Sequence, residues 1–149
     1  MRYLVALDGS PESDEALESC VEIASALDAY VEALYVVQPE LHDLGGDEPI
    51  GTALDAAEKL VLESVVDAEQ RGLDVLDEAE ERLKQAGVDG GSTLLYGDPA
   101  TEIARHAEHE GFDGVYVGHQ GMSRRMESYI GSVAGDVVRR ASVPVTVVR

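Results

Sequence analysis

Gly118, Gly121 and Gly131 have two residues between the first pair and nine between the second, and Ser132 follows directly. They lie in GHQGMSRRMESYIGS, between the strand-like GVYV and the helix-like SVAGDVVRRA. Glycine has no Cβ and tolerates positive φ, so successive N–H groups at such positions can turn together toward an anion. Gly118 and Gly121 suit a nest at a strand end. Gly131 brings the chain back so that the N–H groups of Ser132 and Val133, opening a helix, face the same anion. One helix-end contact is worth only about 0.3–1 kcal/mol on a surface, so a useful site needs several donors converging on a polyphosphate. Ser132 adds a hydroxyl. Arg124 and Arg125 either close over the phosphates or balance nearby acids.

Other nucleotide signatures are missing: there is no G-x-x-x-x-G-K-[ST], and the first turn, DGSPES, lacks G-x-G-x-x-G. An acid in that turn repels phosphate, so Asp8 belongs at the sugar or base end of a ligand, or beside a metal ion. The plainer alternative is a turn former that bonds nearby backbone. His106 and His109 are three apart, a spacing that can hold a metal, but among Arg105, Glu108 and Glu110 they read as a solvated helix face. Ser123, in GMSRR, lacks the second glycine of a nucleophile elbow. With no dedicated general base or arginine finger in view, the residues favour a binding module over an enzyme.

The elements that must position these residues follow from periodicity. Short apolar runs predict strands over 3–7, 30–37, 92–96, 114–117 and 143–148. Ser10 as N-cap and Pro11 as first helical residue start a helix whose stripe is Ala16, Leu17, Cys20, Val21, Ala24 and Leu27. A long helix fits 52–87, with Ala57, Val61, Val65, Ala68, Gly72, Leu76, Ala79, Leu83 and Ala86 in steps of three or four. Gly72 costs it about 1 kcal/mol relative to Ala, which makes a break there an option. Further helices fit 100–110 and 132–141, and the Pro-, Gly- and acid-rich residues 38–51 read as a surface loop. Strands alternating with amphipathic helices imply an α/β doubly wound, Rossmann-like parallel sheet of five strands with helices on both faces. Ligands in such folds sit beyond the carboxyl ends of the strands, where Asp8, Val37, Gly97 and Gly118 fall.

At 149 residues the chain fits one domain, 1–149. Thirty acids against 11 bases give a net charge of −19, but 44% of residues are hydrophobic and periodic, so the acids coat a packed core rather than a disordered chain. Lysine occurs only at 59 and 84 and arginine nine times, a bias that points to a salt-loving source. Residues 1–110 hold 27 acids and 6 bases (−21), whereas 111–149 hold 3 acids and 5 bases (+2), so the glycine segment is the part best suited to an anion. An acidic surface without a basic stripe excludes nucleic acid. Cys20 is the only cysteine and reads as core, which excludes an internal disulfide. Neither a signal peptide nor a run of eighteen apolar residues is present, so no membrane contact and a cytoplasmic location are expected.

The chain resembles the universal stress protein family, and specifically its ATP-binding branch, known by G-x2-G-x9-G-[ST]. Gly118, Gly121, Gly131 and Ser132 match that motif without a gap, and VALDGSPESDEAL, LYVVQP, YGDPATEI and VPVTVV extend the likeness over nearly the whole chain. The resemblance implies the strand order 3-2-1-4-5. It also implies a member binding ATP, or ADP or AMP, with Mg²⁺ or Mn²⁺, and the arginine bias makes a halophilic archaeon the expected source. It places Asp8 on the ribose, the Val37 backbone at the adenine, and the three glycines with Ser132 on the phosphates. Two departures stand out: Ala134 replaces a hydroxyl residue common in ATP-binding members, and His119-Gln120 differs from the usual pair. The implied role is a nucleotide-dependent regulatory module with an unidentified protein partner. The alternatives are a slow Mg²⁺- or Mn²⁺-dependent ATP hydrolase with Asp8 positioning water, and a member acting only through protein contacts. The likeness also implies a homodimer through the last strand, paired antiparallel with Thr146 central.

Overall fold

The computed structural model describes residues 1–39, 52–120 and 130–149, the side chains of 52–64 excepted. Nine elements follow one another: β1 (Arg2–Leu7), α1 (Pro11–Leu27), β2 (Tyr30–Val37), α2 (Thr52–Gln85), β3 (Gly90–Tyr96), α3 (Pro99–His109), β4 (Gly114–Gly118), α4 (Ser132–Arg140) and β5 (Val145–Val148). The strands form one parallel sheet in the order β3-β2-β1-β4-β5, the order expected. Right-handed crossovers put the helices that step toward β3 on one face and those that step back toward β5 on the other. Accordingly α1 and α2 bury Leu17, Cys20, Leu76 and Leu83 against Val5 and Val31. On the opposite face α3 and α4 bury Ile103, Ala107, Ala134 and Val137 against Leu4, Leu34 and Val115. Alternate residues of one strand thus feed two cores, which is why the strands read as unbroken apolar runs.

The long helix is continuous through Gly72. A Cβ there would lie 2.6 Å from the Tyr35 ring and 2.8 Å from Leu94, so the glycine lets α2 approach β2 and β3 closely rather than breaking the helix. Ala86 falls just past the helix end and is exposed, and Leu27 is exposed in the last turn of α1, so both leave the buried stripe. The remaining boundaries shift by one or two residues, the strand start at 90 rather than 92 and at 145 rather than 143 among them. Cys20 is fully buried, and burial pushes its thiol up to about 12.

Candidate functional site

Between β1 and β4 the chain direction splits. The two strands are neighbours, with Tyr3 opposite Gly114 and Val5 opposite Tyr116, yet α1 leaves β1 on one face and α4 follows β4 on the other. The crevice beyond their carboxyl ends is the topological switch point. Its closeness depends on one residue. A Cβ on Gly118 would stand 2.7 Å from both the main-chain carbon and the oxygen of Glu12, so the end of β4 lies against the first turn of α1. Of the glycines described, those with positive φ are Gly9, Gly87, Gly97 and Gly111. Gly118 is therefore needed for space and not for a left-handed turn, and Gly131 has φ −58°.

Three helix N-termini described at this end of the sheet differ in what they offer an anion. The N-terminus of α1 is closed by Ser10, whose Oγ accepts from the Ser13 N–H at 3.2 Å, and its first turn carries Glu12 and Asp14. That of α3 is closed by Asp98, which accepts from the Thr101 N–H at 3.1 Å and hydroxyl at 2.7 Å; Glu102 adds a second acid. Those hydrogen bonds hold the Asp98 carboxyl below its ordinary range. In contrast, α4 starts at Gly131 with no side-chain cap bond and no acid in its first turn. Among the described residues no carboxylate meets its leading N–H groups and the positive end of its dipole, unlike those of α1 and α3.

One residue holds that open end in place. The N–H of His119 donates to the Val148 carbonyl at 2.7 Å, and the His119 carbonyl accepts from the Gly131 N–H at 2.5 Å. The chain therefore leaves β4 at His119 and returns to the same residue at Gly131, so the helix start is pinned to the strand end. Gln120 is buried beside it. Ser132 and Val133 are exposed at the head of α4, while Ala134 is buried against the core. Gly121, Ser123, Arg124 and Arg125 lie outside the described residues.

Asp8 follows β1 directly and is exposed; its Oδ1 accepts from the Ser10 N–H at 2.9 Å, the turn-forming bond its type favours. Gly9, at φ +81°, completes that turn. Val37 ends β2, with its carbonyl accepting from the Gly97 N–H at 3.0 Å. The structure thus brings Gly118, Gly131, Ser132 and Val133 together, sets Asp8 at the neighbouring strand end, and puts Val37 one strand further out. His106 corrects its reading as a solvated residue: its Nε2 lies 2.6 Å from Glu32 Oε1 and its side chain is mostly buried. His109, three residues on, is exposed as expected. The signal for His106 was the lone acid in YVEALYVV, since a carboxylate inside a buried strand must find a partner.

The Universal stress protein family (Usp) model matches residues 1–149. The universal stress protein YxiE of Bacillus subtilis is 31% identical over 153 residues, which span 99% of this chain and 98% of that one. Among solved structures, the protein MJ0577 of Methanocaldococcus jannaschii superposes with a TM-score of 0.79 at 22% identity, covering 99% and 94% of the two chains. A universal stress protein in complex with cAMP gives 0.68 at 26% identity, covering 100% and 97%. On the strength of the whole-length family match and of these relatives, the chain belongs to the universal stress protein family.

Proposed function

We propose that the protein binds an adenine nucleotide, ATP or its diphosphate or monophosphate, at the switch point and acts as a nucleotide-dependent regulatory module. The observation that carries this is the start of α4, which has a glycine N-cap and no acid in its first turn and is pinned by His119 to the end of β4. Phosphate oxygens would meet the N–H groups of Ser132 and Val133 and the Ser132 hydroxyl, with Gly131 keeping the approach free of a side chain and Gly118 and Gly121 as the other glycines of the motif. Asp8, in the first turn, would take the ribose hydroxyls, because a carboxylate accepts from them and repels phosphate. The Val37 backbone would flank the base. The complex of a relative with cAMP supports this class of ligand. A Mg²⁺ or Mn²⁺ ion would arrive on phosphate oxygens and keep most of its water, with Asp8 as the acid supplied by the first turn.

Titration calorimetry with ATP, ADP and AMP tests the reading. We expect ATP with Mg²⁺ to bind near micromolar affinity, about −8 kcal/mol. Gly131→Val should weaken it at least about tenfold, roughly 1.4 kcal/mol. Ala134 turns its side chain into the core, so the outer phosphate meets no hydroxyl there and ATP and ADP should bind alike. No heat with any of the three nucleotides would refute the proposal. Phosphate release at about 1 per second or faster, lost in Asp8→Asn, would replace the module with a hydrolase.

The module would be a homodimer joined antiparallel through β5, which ends the sheet with Thr146 exposed. Two copies carry twice the charge of −19, so pairing should tighten as salt shortens the Debye length to about 3 Å at 1 M. Light scattering should show a dimer in molar salt that dissociates on dilution into low salt, and Val147→Pro, which removes an outward donor and leaves the bonds of Pro144, Thr146 and Val148 to β4, should weaken it. A wild-type monomer at high concentration in molar salt would exclude the dimer.

A further inference from the structure

The sheet has a second edge, on β3, two strands away from the switch point. Its main-chain polarity can be read from both ends. The Asp89 carbonyl accepts from the Val31 N–H at 3.0 Å, and the Gly97 N–H donates to the Val37 carbonyl at 3.0 Å. Odd-numbered residues of this strand therefore point toward β2. Since direction alternates along a strand, the N–H and C=O groups of Gly90, Ser92, Leu94 and Tyr96 point away from the sheet. Among the described residues β2 is the strand that pairs with β3. Natural edges are usually blunted by lysine, proline or a bulge, and GGSTLLY has none of these.

The surroundings of this edge are acidic and in part apolar. On the α2 side, Tyr96 bonds Glu69 and the Ser92 hydroxyl donates to Glu80 at 2.5 Å. Val66 and Leu73, one turn on either side of Glu69, are exposed. On the α3 side, Thr93 donates to Glu32 at 2.9 Å and Leu95 is half-buried. Asp89 and Asp98 stand exposed at the two ends of the strand, and Lys84, one turn beyond Glu80, is outnumbered.

We infer that the β3 edge is a docking site for an extended basic segment of another protein, added as a sixth strand. Its main chain would meet the outward groups of Gly90, Ser92, Leu94 and Tyr96. Its lysines or arginines would alternate toward Glu69 and Glu80, and its small apolar side chains toward Thr93 and Leu95. Charge complementarity selects this occupant over a second copy, which would bring the same acids to meet their like. The site is independent of the nucleotide reading.

The test titrates ¹⁵N-labelled protein with a capped ten-residue peptide alternating lysine and valine, at about 0.15 M salt, where the Debye length is about 8 Å. Shifts should concentrate on the amides of Gly90, Ser92, Leu94 and Tyr96, while amides of the opposite edge stay in place and report an intact fold. A peptide with glutamate for lysine should bind at least about tenfold more weakly, as should the Glu69→Gln/Glu80→Gln variant, by loss of charge pairing. Ser92→Pro should have a similar effect, because it removes an outward donor and leaves the bonds to β2. Equal binding of the acidic peptide, insensitivity to these variants, or shifts confined to another surface would overturn the proposal. So would shifts of the same amides on raising the protein concentration without peptide, which would make a second copy the occupant.

Discussion

Gly118→Ala is expected to destabilise the protein by about 3 kcal/mol, near the top of the range for inserting one methyl group into packed structure. The added carbon would sit 2.7 Å from two main-chain atoms of Glu12, whereas unbonded carbons rest at about 3.5–4.0 Å. No side chain can rotate to relieve that contact. Either the first turn of α1 retreats by most of an ångström or the end of β4 tilts. Retreat lifts Ala16 and Leu17 from the sheet, and tilt disturbs the His119 bonds to Val148 and Gly131. The same substitution at Gly111 is the control. That residue has φ +69° and nothing within 4 Å of its Cβ position, so it should lose only the backbone term of about 1–2 kcal/mol. Urea unfolding in molar salt measures both. A Gly118→Ala midpoint matching that of the parent would show that β4 and α1 do not meet as described.

This variant also separates two meanings of one glycine. Its position in the motif points to a phosphate cradle, and the structure adds a demand from packing that exists without any ligand. Sequence spacing could not distinguish them, because the partner surface, the Glu12 main chain, lies 106 residues away. The rest of the switch point was legible for the opposite reason: its signals are local. Ser10 followed by Pro11, Asp98 followed by Pro99, and the glycine that ends the motif each mark a helix start within a few residues. That the sheet is parallel and covered on both faces followed from chirality and from the alternation of strands and helices, whereas its order came with the family resemblance. Gly72 went the other way. Its cost in helix propensity is a local quantity, and the close approach to Tyr35 and Leu94 that offsets it is a tertiary one.

The pair Glu32–His106 offers the sharpest energetic test of such a long-range partner. Glu32 sits on β2 and accepts from Thr93 and, 2.6 Å away, meets His106 of α3. Both side chains are mostly covered, at 12% and 15% exposure. His106 also lies 5.8 Å from the Phe112 ring, on which the Arg2 guanidinium stacks at 4.6 Å. Replacing His106 by leucine keeps some volume and leaves a covered carboxylate with one partner fewer. Breaking buried pairs costs about 3–5 kcal/mol, and the residual exposure here should reduce that to about 2–3 kcal/mol. Glu32→Met alone should cost less, because His106 keeps its contact with the Phe112 ring. The double variant, with two apolar groups packed together, should recover most of the loss. The cycle should therefore give a coupling of at least about 1 kcal/mol in favour of the pair. If the two single losses simply add to the double, within about 0.5 kcal/mol, then the pair does not hold α3 to the sheet. In that case the acid in the middle of β2 would be satisfied by Thr93 and water alone.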